Sequence, residues 1–219
     1  MSKSQDISIF EKASVNELSS YTVTQKSKFQ AKIDITGLNN IDEYIPTDFE
    51  QMKKIFWRKD NSEKIAILNG LFWRIIKCKD LKSRRMNIIG ILIHDLLGIE
   101  VGNIDELLTS RQLMTPTLRL LNALAMDKYA RSVIFSNTNI FRDILALVNS
   151  CDDVCLKYII IMIEYLSAEN SLKMNLLSND IINILISLLG NDKVSKNEVI
   201  VENIVATLLN LTSKEEALK

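Results

Sequence analysis

The 219-residue sequence predicts an all-α fold, a right-handed α-solenoid of about three helical repeats behind a mobile N-terminal arm. Three observations favour this fold class. The chain holds only 6 Gly and 2 Pro, too few for the many turns of a small sandwich or barrel. Hydrophobic residues make up 47 % of it, enough to form a core. Its second half also repeats a pattern of helical segments with a period typical of α-solenoids.

Residues 1–45 are expected to form the arm, because they are rich in Ser, Thr, Lys and Gln and carry no sustained apolar period. One short helix is expected within them, over residues 10–18. The helical domain is expected to span residues 46–219. Thr47 and Glu50, three positions apart, form a capping-box pattern that predicts its first helix. Asp60 and Glu63 repeat this logic before the next one.

Apolar periodicity, caps and breakers give the remaining helices in order. Gly98 is expected to end the helix over residues 86–97, and Thr115 with Pro116 is expected to start the helix over residues 117–126. Ser195 and Glu198 form another capping box before the last helix. The predicted helices are 65–76, 86–97, 117–126, 128–135, 140–149, 154–167, 172–177, 181–189 and a final one that opens at 195 and ends at 212.

The repeat can be aligned residue by residue. Residues 117–125 superpose on 159–167 and on 204–212, which places Leu124, Leu166 and Leu211 at the same position, 42 and 45 residues apart. The middle helices superpose at a spacing of 41 residues. A period of about 40–47 residues with two or three helices is the length of armadillo and HEAT units. Asn137 and Asn179 precede the middle helices, where a left-handed turn residue is expected.

The apolar run over residues 158–163 is rich in β-branched residues and could be taken for a strand. Its repeat-mates do not share that composition, and caps flank it, so we interpret it as a helix. A helix sandwiched between neighbouring repeats is expected to be apolar nearly all round.

Charge is balanced over the whole chain, with 27 basic and 27 acidic side chains, but not locally. Residues 53–85 carry 11 basic and 3 acidic side chains, a net charge of +8. This stretch is either a solvated helical face or a basic dock for an acidic partner such as tubulin, and nucleic acid is the less favoured partner. The basic-dock candidates are Lys77, Lys79, Lys82, Arg84 and Arg85.

The sequence offers no constellation for catalysis, so we expect a protein that is not an enzyme and uses no cofactor or metal. The one histidine, His94, excludes multi-histidine metal sites. Cys151 and Cys155 are four apart and are interpreted as small buried hydrophobic residues rather than as zinc ligands. Paired carboxylates fall at loops or helix starts, where they complement the helix dipole. Three cysteines and the absence of an apolar leader or span predict a cytoplasmic protein with no membrane segment.

Residues 86–215 resemble part of the LisH-domain armadillo-repeat-containing protein 9 family, which is associated with the ciliary base and tip. The resemblance rests on residues 85–97 with their His94-Asp95 pair, on residues 117–125 followed by Arg131, and on the spacing of 192–211. No LisH motif precedes these segments. The resemblance implies an armadillo-like scaffold at a basal body, cilium or cytoskeleton. The alternative is a general armadillo adaptor or chaperone cofactor of the cytosol.

In armadillo arrays, the last helix of each repeat lines a groove that binds an extended peptide or a helix. The asparagine that clamps the peptide backbone in that family corresponds here to Ala123, Tyr165 and Asn210, and one turn earlier Arg119 replaces a tryptophan. Arg119, Tyr165 and Asn210 are therefore the candidate groove residues for a protein partner. We also expect self-association through the C-terminal end, where the array stops with an apolar flank.

Overall fold

The computed structural model describes residues 53–77, 83–99, 101–136 and 138–212. Within these ranges the chain forms a helical turn at 53–56 and then ten longer α-helices, with no strand. The predicted arm, its short helix and the capping box at Thr47 lie outside the described residues. The helices are α1 (Asn61–Lys77), α2 (Ser83–Leu96), α3 (Ile104–Thr109), α4 (Met114–Ala125), α5 (Lys128–Ile134), α6 (Thr138–Leu147), α7 (Asp153–Ser167), α8 (Asn170–Ser178), α9 (Ile181–Leu189) and α10 (Glu198–Thr212).

Four helices pack side by side in a row, in the order α1, α4, α7, α10. Polar side-chain contacts join the neighbouring pairs, among them those of Arg119 with Asn69, Thr115 with Cys155, and Asn210 with Ser167. The contact of Thr115 joins the starts of α4 and α7, and that of Asn210 joins the ends of α7 and α10. These three helices of the row therefore run in the same sense.

Other helices pack along this row: α3 and α5 contact α4, α6 and α8 contact α7, and α9 contacts α10. α2 and α5 form the most extensive pair outside the row, while α3 contacts α6 and α6 contacts α8. Gly90 explains the close approach of α2 and α5, because a β-carbon there would lie 3.1 Å from the Cα of Ala130. Glycine therefore favours this close approach, since a β-carbon would force the neighbouring backbone to shift by a few tenths of an ångström.

Aspartate side chains start three of the helices. Oδ1 of Asp60 accepts a hydrogen bond of 2.8 Å from the backbone N–H of Glu63, as the capping-box pattern predicts. Asp127 accepts bonds from the backbone N–H groups of two residues at the start of α5, and Asp152 accepts one at the start of α7. Each carboxylate satisfies donors that the first helical turn leaves unpaired and also complements the helix dipole.

Two predicted N-caps are wrong. The helix expected to start at Thr115 begins at Met114, because a turn over residues 110–113 leads directly into it. Pro116 then falls within the first turn, where its missing N–H has no partner to lose. The last helix begins at Glu198 rather than after Ser195, with Asn197 accepting the bond from the backbone N–H of Ile200.

The left-handed residue before α9 is Asp180, with φ 58° and ψ 29°, and not the predicted Asn179, whose φ is −100°. Its carboxylate accepts a 2.7 Å bond from the side-chain amide of Asn183, which stabilises the turn locally. Asn137 lies outside the described residues. Gly98 has φ 62° directly after α2, as predicted for a helix stop.

Residues 158–163 belong to α7, so the helical interpretation is confirmed and the strand is not formed. Ten of the fifteen residues of α7 are buried, which fits its place between α4 and α10. Leu124 and Leu166 are fully buried at equivalent positions, and Leu211 is half-buried. Among the described residues, no single helix is long and apolar enough to cross a membrane; only α8 and α9 together, bent by 74°, meet that criterion.

Candidate functional site

The three candidate groove residues lie on consecutive helices of the row. Arg119 is on α4, Tyr165 on α7 and Asn210 on α10, and all three are half-buried. The structure thus brings them to one layer of the molecule, and we call this set the partner face. None of the three is a loose surface side chain.

Arg119 is held from the side of α1. Its Nη2 donates a short hydrogen bond to the side-chain oxygen of Asn69, and the guanidinium lies over the ring of Phe72, 4.6 Å from the ring centroid. A guanidinium over an aromatic face gains electrostatic attraction while remaining partly accessible. Its Nε is buried and has no hydrogen-bond partner among the described atoms. Arg119 therefore joins α1 to α4 and keeps a fixed orientation.

The side chain of Asn210 is also held by a neighbouring helix, and the backbone of Tyr165 is held by Arg131. The side-chain amide of Asn210 donates a 3.0 Å bond to the hydroxyl of Ser167, which in turn donates 2.7 Å to the backbone carbonyl of Glu164. The backbone carbonyl of Tyr165 accepts a bond from Arg131. A surface whose polar side chains are already oriented loses less conformational entropy when a partner binds.

Arg131, on α5, is the charged residue that holds the ends of two row helices, and the sequence analysis gave it no structural role. Its Nη1 donates to the carbonyls of Ala125 at 3.2 Å and Tyr165 at 2.8 Å, and its Nη2 lies 3.4 Å from the carboxylate of Glu169. A cation at helix C-termini satisfies carbonyls that lack an intrahelical partner. Tyr165 and Glu169 lie 34 and 38 residues from Arg131 in sequence, so no local pattern predicts their contacts with it.

A second buried cation, Lys64, lies on α1, the first helix of the row. Its ammonium forms a 2.9 Å ion pair with Glu106 and lies 5.2 Å from the ring centroid of Trp57, whose indole N–H donates to the carbonyl of Leu96. The side chain is only 5 % exposed. Charge compensation and the aromatic ring account for its burial, so Lys64 is part of the packing and not of a free basic surface.

The proposed basic dock cannot be described as a surface. Lys79 and Lys82 lie outside the described residues. Lys77, Arg84 and Arg85 fall at the end of α1 and the start of α2, and only their backbone is described. The dock therefore stays a prediction.

The two described cysteines are free thiols in separate surroundings. Cys155 is buried, with its Sγ 3.2 Å from the hydroxyl of Thr115, and Cys151 is half-buried. Burial raises the pKa of Cys155 to about 12 and that of Cys151 to about 11. Both thiols remain protonated at neutral pH, which makes them poor nucleophiles and poor metal ligands. Among the described residues, no group of three His, Cys, Asp or Glu side chains could hold a metal ion.

Among the described residues, one carboxylate on α6 has a perturbed pKa. Burial raises the pKa of Asp143, on α6, and the nearby carboxylate of Asp105, on α3, raises it further. Arg142 lies 3.6 Å away and opposes these effects only in part. Asp143 and Asp105 lie where α6 contacts α3, and their repulsion makes the stability of the fold depend on pH.

No protein-family model matches this chain, and no curated protein sequence matches it.

The side chains of the partner face can form hydrogen bonds and aromatic contacts. It offers a cationic donor at Arg119, an aromatic ring with a hydroxyl at Tyr165, and an amide at Asn210, on helices that pack directly against one another. These groups can hydrogen-bond a peptide backbone and pack on its side chains.

Proposed function

We propose that this chain is a non-catalytic protein–protein interaction scaffold, an armadillo-like α-solenoid of about three repeats. The units are α2–α4, α5–α7 and α8–α10, and each ends in a helix of the row. The 42- and 45-residue spacing of Leu124, Leu166 and Leu211 supports this division, as does the burial of the first two.

The observation that supports the proposal is the placement of three half-buried polar side chains on three adjacent helices, with those of Arg119 and Asn210 held by side-chain hydrogen bonds. Packed helices lie about 8–10 Å apart, and an extended peptide rises about 3.3 Å per residue, so roughly every third peptide residue meets a new helix. Arg119, Tyr165 and Asn210 would then be contacted in turn. The partner we expect is an extended peptide or a helix that crosses the row.

The test is a selection of displayed peptides with the full chain, followed by titration calorimetry of one enriched peptide. Tyr165→Ala and Asn210→Leu should each weaken its binding by at least about tenfold, the loss of a central aromatic or polar contact. Tyr129→Ala is the matched control, because Tyr129 lies on α5 and is 46 % exposed. An affinity unchanged by both partner-face variants, or an equal loss in the control, contradicts the proposal.

The cellular setting we propose, a centriole, basal body or ciliary axoneme, rests on the family resemblance together with the basic segment 53–85. Co-sedimentation with microtubules at low and high salt tests it, since binding through lysines and arginines to acidic tubulin tails is screened by salt. Joint neutralisation of Lys77, Lys79, Lys82, Arg84 and Arg85 should abolish the salt-sensitive binding. No binding at low salt would favour the alternative, a general armadillo adaptor or chaperone cofactor of the cytoplasm.

A further inference from the structure

The partner face carries a positive charge that forms no ion pair with the described residues. Arg119, on α4, is half-buried, and its contacts on α1 are with the side-chain amide of Asn69 and the ring of Phe72, both uncharged. Its Nε is buried without a hydrogen-bond partner. The guanidinium is thus partly removed from water without the opposite charge that usually accompanies a buried cation.

The two cations that are more deeply buried in the described part of the chain are both neutralised. Lys64 pairs with Glu106 at 2.9 Å, and Arg131 pairs with Glu169 at 3.4 Å. These ion pairs hold together positions that are 42 and 38 residues apart in sequence. The fold therefore supplies a carboxylate where a buried cation serves packing, and Arg119 differs from both in this respect.

Arg119 is also held in one orientation. Its Nη2 donates to Asn69 and its guanidinium stacks on Phe72, whereas Nη1 donates no hydrogen bond to the described residues. A guanidinium presents its donors as a planar fork, which matches the two oxygens of a carboxylate. Because the side chain is already oriented, it loses little conformational entropy when such a group binds.

A second cation lies on the next helix of the row. Lys157, on α7, is half-buried and aligns with Thr115, which lies one turn before Arg119 on the same face of α4. Thr115 contacts Cys155, so the starts of α4 and α7 are level. At 1.5 Å per residue, Arg119 and Lys157 are then only about 3 Å apart along the helix axes. The two cations therefore stand side by side on neighbouring helices.

Acidic side chains limit the positive region on its other side. They lie along α7 and on α10, and they are Asp153, Glu164, Glu198 and Glu202. In contrast, every residue of α4 is described and Arg119 is its one charged residue. On α1 the one acidic residue is Glu63, which pairs with Lys59. The positive region is thus small, and a single carboxylate matches it better than a polyanion does.

We propose that the partner face binds an acidic peptide, an extended segment of a partner protein in which an aspartate or glutamate side chain pairs with Arg119. This rests on the proposed function, because it names the chemistry of the peptide that the same face takes. The carboxylate supplies the negative charge that the fold does not provide at Arg119, and the nearby Lys157 adds to the attraction.

The test adds a double-mutant cycle to the selection of displayed peptides. Enriched peptides should carry Asp or Glu, and replacing that residue by Asn or Gln should weaken binding to the wild-type chain at least about tenfold in titration calorimetry. On Arg119→Gln, which keeps an amide donor for Asn69, the acidic and neutral peptides should bind within about twofold of each other. Because both peptides are compared on one variant, a general loss of stability cannot imitate this result.

Arg142→Gln is the matched control. The side chain of Arg142 is 70 % exposed on α6, a helix outside the row, so this variant should keep the full preference for the acidic peptide. Loss of the preference in this control would overturn the proposal, because the effect of Arg119→Gln would then reflect net charge alone.

Two further outcomes overturn the proposal while the proposed function stands, provided that Tyr165→Ala still weakens binding. They are enriched peptides without an acidic residue, and a preference for the acidic peptide that Arg119→Gln leaves unchanged. An affinity that no substitution on the partner face changes overturns both proposals. A selection that enriches no peptide does the same, and it is the result expected if another segment of the same chain occupies the face.

Discussion

Arg131 donates a hydrogen bond of 2.8 Å to the backbone carbonyl of Tyr165, on a helix that begins 22 residues later in the chain. The same guanidinium nitrogen reaches Ala125, at the end of α4. One side chain on α5 thus holds the C-terminal ends of two neighbouring row helices. Because the side chain is only 10 % exposed, water competes little for these bonds.

Arg131→Met should therefore lower the free energy of unfolding by about 3 kcal/mol, because two helix-end carbonyls and Glu169 lose a charged donor. Urea unfolding followed by circular dichroism measures the change. The control is Arg142→Met, whose side chain is 70 % exposed and whose loss should cost under about 0.5 kcal/mol. Equal effects of the two substitutions would show that the buried bonds do not stabilise the fold.

Gly90 should not tolerate a side chain. Gly90→Val places atoms against the backbone of Ala130 and should cost about 1–3 kcal/mol through separation of α2 and α5. Gly190→Ala is the comparison, since a β-carbon there would lie 3.4 Å from its nearest neighbour, the backbone oxygen of Ser187, which is ordinary contact. Thermal unfolding should leave the Gly190 variant within a few degrees of the wild-type chain. A Gly90→Val variant with the same melting temperature as the Gly190→Ala variant would contradict the close approach of α2 and α5.

Asp180 should accept glycine and reject branched residues. Its φ of 58° is favourable for Gly and costly for a β-branched side chain, so Asp180→Val should lose about 1–2 kcal/mol. Asp180→Gly should be nearly neutral, because relief of strain offsets the lost bond with Asn183 and the greater freedom of the unfolded chain. Chemical denaturation of both variants tests this order, and a Val variant as stable as the Gly variant would refute it.

Asp143 should make stability depend on pH in a specific direction. Its pKa in the folded chain is raised above its ordinary value, so folding binds a proton more tightly there. The favourable contribution is fully present below the unfolded pKa of about 3.9 and is lost as pH rises through the higher folded value. Asp143→Asn should therefore raise the melting temperature at pH 7 and leave it nearly unchanged at pH 3. A variant less stable than the wild-type chain at pH 7 would contradict the repulsion from Asp105.

Local patterns predicted the elements well and long-range contacts poorly. The period of apolar residues predicted nine of the ten described helices and gave the bounds of α9, and Asp60 capped its helix as expected. α3 was missed because it has only six residues, too few for a period to show. Thr115 failed as a cap because the turn over residues 110–113 starts the helix at Met114; its hydroxyl contacts Cys155 of α7 instead.

In the candidate site, too, local patterns predicted the positions of residues but not their long-range contacts. Alignment of the repeats predicted that Tyr165 and Asn210 would lie on neighbouring helices, since aligned positions share a face. The fixed orientation of Arg119 depends on Asn69 and Phe72, some 50 residues earlier, and the helix-end bonds of Arg131 cross two helices. Sequence spacing carries no information about such contacts.

The polar contact within each pair of row helices has a consequence for how the apolar flanks fit together. Flanks of Leu, Ile and Val match almost as well after one helix has slid along its neighbour by a turn, because dispersion and burial have no direction. A hydrogen bond such as that between Asn210 and Ser167 is satisfied at only one axial offset, and sliding would leave buried polar atoms unpaired. These contacts therefore select a single alignment of the helices, while the surrounding apolar residues supply most of the cohesion.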